Sequence, residues 1–269
     1  MKNNTLLLLL LFITISCKKN TDEIDFKVGY SPNFQYIQTQ KQLVENAVKY
    51  IASDEILENL KINGISNPDT TKSYVKLKSV LRTGRELNNS FPVNVEFIES
   101  NHSSLKKGTK LYGKSIKGVT KIDSISALDM TAKAKEAMLF TLENMMNEIK
   151  YPEQKVKIGE SFENKTSMNM PISLPINIEV ESIYTLKKIE NGIGYFDLNH
   201  KIKSKTKDYR KSLVGIGKGK IHYDIERNFF IKLYSEMKID VEAELDGFSI
   251  KLGIESIADQ NTEIQNISE

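Results

Sequence analysis

The sequence predicts an α+β fold: a large, curved, half-barrel-like antiparallel sheet packed on one long amphipathic helix, with a short helical region near the N-terminus. Three observations predict it. Phe229, Ile231, Leu233, Met237, Ile239, Val241, Ala243 and Leu245 share one parity, and Lys232, Glu236, Lys238, Asp240, Glu242 and Glu244 share the other, so one face is apolar and the other wet. As one strand that run would be about 55 Å long, which requires a large bowed sheet or a bend near Ser235. Between Ser126 and Tyr151, Met130, Ala134, Met138, Leu142, Met145 and Ile149 recur in steps of three and four, the spacing of one helical face. Finally, strand-like alternation flanks that segment on both sides.

In chain order, the first element is an export segment. Lys2 is a minimal basic start, and Leu6–Ile15 is apolar apart from Thr14. The run is too short to span a bilayer and has the length of a signal-peptide core. Ser16 places a small residue directly before Cys17, the only cysteine. A lone cysteine excludes a disulfide within the chain and any cysteine-based metal cluster. The stretch Thr14-Ile15-Ser16-Cys17 resembles the lipobox of bacterial lipoproteins, with Thr14 in place of the usual aliphatic residue. The resemblance covers the first seventeen residues and implies cleavage before Cys17, acylation of that cysteine and a stable membrane anchor. It places the chain in the cell envelope, at the outer membrane, with the side open. Residues 1–16 then form the signal peptide, and 17–25 a lipidated polar tether.

A single domain is expected over 26–258, because no long Pro/Gly/Ser linker divides the chain. Phe26–Tyr36 reads as a short strand around a Ser31-Pro32-Asn33 turn. Gln38–Leu60 reads as helical, with Leu43, Ala47 and Ile51 on one face, Ser53 capping a second short helix, and Asn63-Gly64 stopping it. Val75 and Leu77 favour a strand; Phe91, Val93, Val95 and Phe97 alternate clearly. Thr109–Ser115 and Val119–Ile122 follow as strands. The long helix starts at Ser126 and Asp129, an S-x-x-D cap, and ends at Pro152. It would be roughly 36 Å long, enough to cross a whole sheet.

Strand character dominates the second half. Ile176, Ile178 and Val180 alternate with acids, and a slip near Ser182 suggests a bulge. Asn191-Gly192 and Asp246-Gly247 mark tight hairpins. Phe248, Ile250, Leu252 and Ile254 alternate again, and 259–269 is a polar, flexible tail.

Chemistry is sparse. His102, His200 and His222 form no spaced pair and no zinc-ligand set. Gly215, Gly217 and Gly219 open a strand, where a phosphate-cradling loop would open a helix, so they read as bends or places of close backbone approach. Neither a cofactor nor a catalytic group is selected, so a non-enzymatic role is expected. Net charge is +3 with acids and bases interspersed, which gives no nucleic-acid footprint. The basic run Lys201–Lys211 reads as a solvated loop between strands, with contact to acidic lipid headgroups or polyanions as the alternative.

Long alternating strands, one amphipathic helix and a lipid anchor together resemble the half-barrel lipoproteins of the LolA/LppX type, on element order alone. The resemblance implies a sheet enclosing an apolar cavity against a helix. Met138, Leu142, Met145, Ile239, Val241 and Leu252 are the expected lining of a site for a lipid or other apolar molecule. The alternatives are a structural lipoprotein that docks an envelope protein partner, and a hydrolase with an unrecognised site. A cavity of roughly 300 Å³ or more between helix and sheet would favour the ligand; an exposed apolar patch would favour the partner.

Overall fold

The computed structural model describes residues 22–128, 130–148, 151–170, 176–204, 211–245 and 247–267. Cys17, Asp129, Ile149 and Asp246 lie outside them, as does the centre of the basic run Lys201–Lys211. The strands are β1 (Glu23–Phe26), β2 (Phe34–Ala52), β3 (Asp69–Thr83), β4 (Ser90–Ser100), β5 (Lys110–Ile116), β6 (Val119–Ser126) and β7 (Gln154–Lys157). They continue with β8 (Ser161–Met170), β9 (Ile176–Glu190), β10 (Ile193–Ser204), β11 (Lys211–Asp224), β12 (Phe229–Leu245) and β13 (Phe248–Asn266). Two helices, α1 (Asp54–Ile62) and α2 (Ala132–Glu148), interrupt them. Eleven strands form one antiparallel sheet in the order β6-β5-β4-β3-β2-β13-β12-β11-β10-β9-β8, and β1 pairs with β7 in a separate two-stranded sheet.

Laid flat, eleven strands would set the two edges about 48 Å apart. Yet α2, 17 residues and so about 25 Å long, contacts both edge strands, β6 and β8. The sheet is therefore rolled, and α2 straddles the seam between its edges.

This corrects the expected α+β architecture. The described residues are overwhelmingly β, and among them no long amphipathic helix lies across the sheet. Ser126, expected to cap the helix, is the last residue of β6. The cap is Thr131, whose Oγ1 accepts from Ala134 N at 3.2 Å. Met138, Leu139 and Leu142 cover only the cluster made by Phe97, Leu111, Ile122 and Ile125 near one sheet edge. The expected helix over Gln38–Leu60 is also overturned: β2 runs as strand to Ala52 and pairs with β13 and β3 along its length. Only the nine residues of α1 are helical there, ended by Asn63 and by Gly64 at φ +75°.

Other elements match or refine the expectations. Phe229–Leu245 is one strand. Its register shifts opposite His222/Tyr223, near its start, so no corner forms at Ser235. Asn191 and Gly192 both have positive φ, 50° and 78°, as a type I′ turn requires. Ser182 keeps the alternation of β9, and the bulge sits further on, where Tyr195 faces Lys188 while Phe196 faces Leu186. Residues 259–266, expected to fray, extend β13 against β2.

The core lies on the inner face of the roll. At one end the β1–β7 ribbon plugs it: Ile24, Phe26 and Val156 pack on Phe162, Tyr184, Leu186, Phe196, Tyr223 and Phe230 from β8 to β12. Phe26 is 1% exposed. Its ring lies 4.6 Å from that of Phe162, 5.1 Å from Tyr223 and 5.6 Å from Phe196. The Tyr223 hydroxyl donates to Lys27 O at 2.7 Å, tying the end of the plug to β11. Burial pushes that phenol up to about 12.

Candidate functional site

Each strand of the sheet alternates core-facing and outward residues, and the outward set carries a broad concavity. Along β9–β13 and β2 the register aligns Ile183, Asn199, Lys218, Glu236, Ile257 and Leu43 in one row across six strands. Their chain neighbours Tyr184, Leu198 and Met237 belong to the core clusters, so the row lies on the outer face. A trough of about 980 Å³ runs along it, floored by Leu43, Ile183, Ile216 and Ile257. Ile216 is 69% exposed and Ile257 41%, and these aliphatics stand among charges. Lys218 meets Glu236 at 3.2 Å, Lys238 meets Glu255 at 3.3 Å, and Lys72 pairs with Glu45. The Tyr234 hydroxyl donates to Glu236 at 2.5 Å. That bond first, and Lys218 second, hold the Glu236 carboxyl below its ordinary range, so this carboxylate stays ionised at neutral pH.

The glycines of β11 shape this region from behind. Gly215, Gly217 and Gly219 stand opposite Ile239, Met237 and Ser235. A Cβ on Gly217 would lie 2.9 Å from Glu236 O and 2.9 Å from Met237 Cγ. These are positions of close backbone approach, as the sequence suggested.

The histidines have separate surroundings. His102 Nδ1 accepts from Ser104 N and Leu105 N in the β4–β5 loop. His200 Nδ1 bonds Ser182 Oγ at 2.9 Å, and burial lowers its pKa from 6.5. His222 lies edge-on to Tyr195 at 4.7 Å. Among the described residues no group of three His, Cys, Asp or Glu converges as a metal site.

The His200 shift has a definite sign. The unfolded chain takes up its proton first as pH falls, so the stability tied to neutral His200 is complete above about pH 6.5 and declines below it, until the folded imidazole itself protonates. His200→Gln, which keeps a partner for Ser182, is expected to flatten the fall in denaturation midpoint between about pH 7 and 5. An unchanged slope would assign the fall to other groups. His222 shifts in the same direction, so the double variant should flatten it further.

The expected ligand-lining residues fall into two places. Met138 and Leu142 pack beside β4–β6, whereas Ile239, Val241 and Leu252 join an aliphatic cluster from β9 to β13. Met145 belongs to α2, but its side chain is outside the described set. Of the five whose side chains are described, Met138 lines a cleft of about 560 Å³ between α2 and the β4–β5 loop, with Met130, Ala134 and Leu128. The trough residues escaped sequence reading because isolated aliphatics on a charged strand face look like ordinary surface; only the register aligns them.

A family model described as a family of unknown function, DUF6263, matches residues 114–242, slightly less than half of the chain. The matched stretch runs from β5 into β12 and includes α2 and the glycines of β11. No curated protein matches. Among solved structures, the attachment invasion locus protein Ail of Yersinia pestis is similar at 6% identity and a TM-score of 0.16, over 83% of this chain and 98% of that one. The COG4313 outer membrane channel of Pseudomonas putida F1 is similar at 5% identity and a TM-score of 0.19, over 89% and 97%. Likenesses at such scores carry no argument about this chain. Its own outer face does: a membrane-spanning barrel turns an apolar band outward, whereas Lys–Glu pairs cross this sheet.

Proposed function

We propose that this chain is a non-enzymatic lipoprotein of the cell envelope, tied to a membrane through Cys17, and that it holds an apolar or amphipathic ligand of the acyl-chain class in the outer-face trough. The observation that carries the ligand is the aliphatic floor of Leu43, Ile183, Ile216 and Ile257, left open and flanked by ion pairs. Exposed apolar surface gathered inside a charged rim is the arrangement of a binding groove. An acyl chain would cover the floor, and the lysines and glutamates beside it suit a polar headgroup.

One set of proteins tests both halves: the parent, Cys17→Ala, and the double variant Ile216→Lys with Ile257→Lys, each purified from envelopes of cells fed labelled palmitate. Native mass spectrometry should show an extractable adduct on the parent, reduced at least about tenfold in the isoleucine variant. Its melting temperature should move by no more than about 2 °C, because both sites are exposed. Covalent label should disappear from Cys17→Ala alone. A parent that is always clean and takes up no added fatty acid ends the ligand proposal. Undiminished label in Cys17→Ala ends the anchor.

A second reading, docking of another envelope protein, is favoured by Leu128 and Phe140, 104% and 66% exposed at the α2 end of the roll. It is the reading left standing if the trough proves empty.

A further inference from the structure

A smaller cleft of about 310 Å³ opens on the same outer face nearer the plugged end, walled by Lys187, Lys188, Tyr195, Asp197, Lys220 and His222. The register sets Lys188, Tyr195, His222 and Lys232 in one row across four strands. Lys188 also stands 4.3 Å over the Tyr195 ring. Of the three lysines that wall it, Lys187 meets Asp197 at 3.9 Å and Lys188 meets Glu190 at 2.7 Å; Lys232 stands at its edge, opposite His222. Among the described residues Lys220, which faces the already paired Asp197 across the register, and Lys232 at the edge form no ion pair, so positive charge is in excess at the cleft. The surroundings register it: burial first, then Lys232, Lys188 and Lys220, lower the His222 pKa.

The position of this cleft relative to the chain start gives it a partner. Phe26 lies against Tyr223 and Phe230. Gly29 N donates to Asn228 O at 3.2 Å. The first described residues therefore sit at the sheet end that carries the Asn191-Gly192 turn and the β11–β12 turn. Only four residues lie between Cys17 and Asp22, so five Cα steps give a reach of at most about 18 Å. An anchor at Cys17 holds this end against the headgroups. Lys188 is three residues from Asn191, and Lys232 three from Phe229, which brings the lysines within about a Debye length of that end.

We propose that the cleft of Lys188, Tyr195, Lys220 and His222, with Lys232 at its edge, binds a phosphate group, supplied by an anionic phospholipid of the membrane in which the chain is anchored. The placement rests on the Cys17 anchor, but the chemistry of the cleft does not. Two free ammonium groups supply the charge, and an imidazole and a phenol supply directional donors. Bound there, a headgroup would fix the orientation of the roll on the bilayer.

The test uses the full mature chain carrying Cys17→Ser, so that recruitment cannot come from acylation and a failure here is distinct from a failure of the anchor. Vesicles of phosphatidylcholine with about one-third phosphatidylglycerol are expected to sediment this protein, and pure phosphatidylcholine vesicles to leave it in solution. Lys220→Gln with Lys232→Gln should weaken sedimentation about ten- to thirtyfold. Lys41→Gln with Lys49→Gln, the same change in charge elsewhere on the outer face, should weaken it no more than about threefold. In parallel, inorganic phosphate is titrated while the His222 ring resonance, assigned through His222→Gln, is followed. A shift with vesicles supports the lipid source; a shift with phosphate but not with vesicles supports the phosphate site and gives it a soluble ligand. Equal losses in the two lysine pairs, or a His222 resonance indifferent to both probes, overturn the proposal.

Discussion

Phe26→Ala is expected to destabilise the protein by about 3–5 kcal/mol, a cost in the upper range for a single substitution. The side chain is 1% exposed and touches six rings, those of Tyr151, Phe162, Tyr184, Phe196, Tyr223 and Phe230. Deleting it removes the transfer free energy of a phenyl group and leaves a void walled by stiff aromatics that collapse poorly. For a chain of this size the melting temperature should drop by roughly 6–20 °C, measurable by calorimetry. Phe26→Leu should recover most of the loss, because it refills much of the volume. The damage should be uneven as well. β1 has only β7 as a backbone partner, so amides of both strands should exchange faster in Phe26→Ala, while those at the centre of β13, paired on both sides, stay protected. A variant melting within about 2 °C of the parent would mean that the ribbon rests on the roll without closing it.

How much of this was legible in the sequence depended on whether a strand's two faces differ. They do in β12 from Leu233 onward, where the core-facing set is apolar apart from Ser235 and the outward set is charged apart from Tyr234, and that stretch was readable; the register shift near the start, which buries Phe230, was not. They do not in β2. Its inward residues include Gln38, Gln40 and Gln42, which stand opposite Thr262, Gln260 and Ala258, while its outward residues include Leu43, Ala47 and Ile51. With glutamines inside and aliphatics outside, the two-residue period vanishes, and the four-residue spacing of Leu43, Ala47 and Ile51 imitates a helix. Tertiary pairing along the whole of β2 then overrides local preference. The helix reading failed at its start for a related reason. Ile122 and Ile125 bury against Phe97 and Leu111 and so belong to the sheet, while Thr131, not Ser126, supplies the cap. The candidate sites were less legible than the fold. Lys188, Lys220 and Lys232, or Leu43, Ile216 and Ile257, are far apart in the chain and meet only through the register. The exception was the glycine run of β11, since three glycines alternating on one face need a backbone reason.

Gly219→Val draws that reason out. Gly219 faces inward and stands opposite Ser235 on β12 and Leu198 on β10. A Cβ there would run into the Tyr234 carbonyl oxygen, a backbone atom that cannot rotate away. Relief must come from spreading β11 from β12, which strains the paired backbone on both sides. The expected cost is about 2–4 kcal/mol, with a fall of roughly 4–16 °C in melting temperature. Gly219→Ala should already show much of it, because the first carbon makes the clash. Gly29→Ala is the matching control: nothing lies within 4 Å of its Cβ position, so it should stay within about 1 kcal/mol of the parent. The effect should also reach the other face. Lys218 and Glu236, ion-paired at 3.2 Å across the same two strands, line the trough. Parting β11 from β12 would separate them and widen the floor between Ile216 and Ile257. In Gly219→Ala, held folded at low temperature, acyl-chain retention should fall together with stability. Retention unchanged in a destabilised variant would show that the trough does not depend on the tight β11–β12 approach, and would remove the glycines from any account of the binding site.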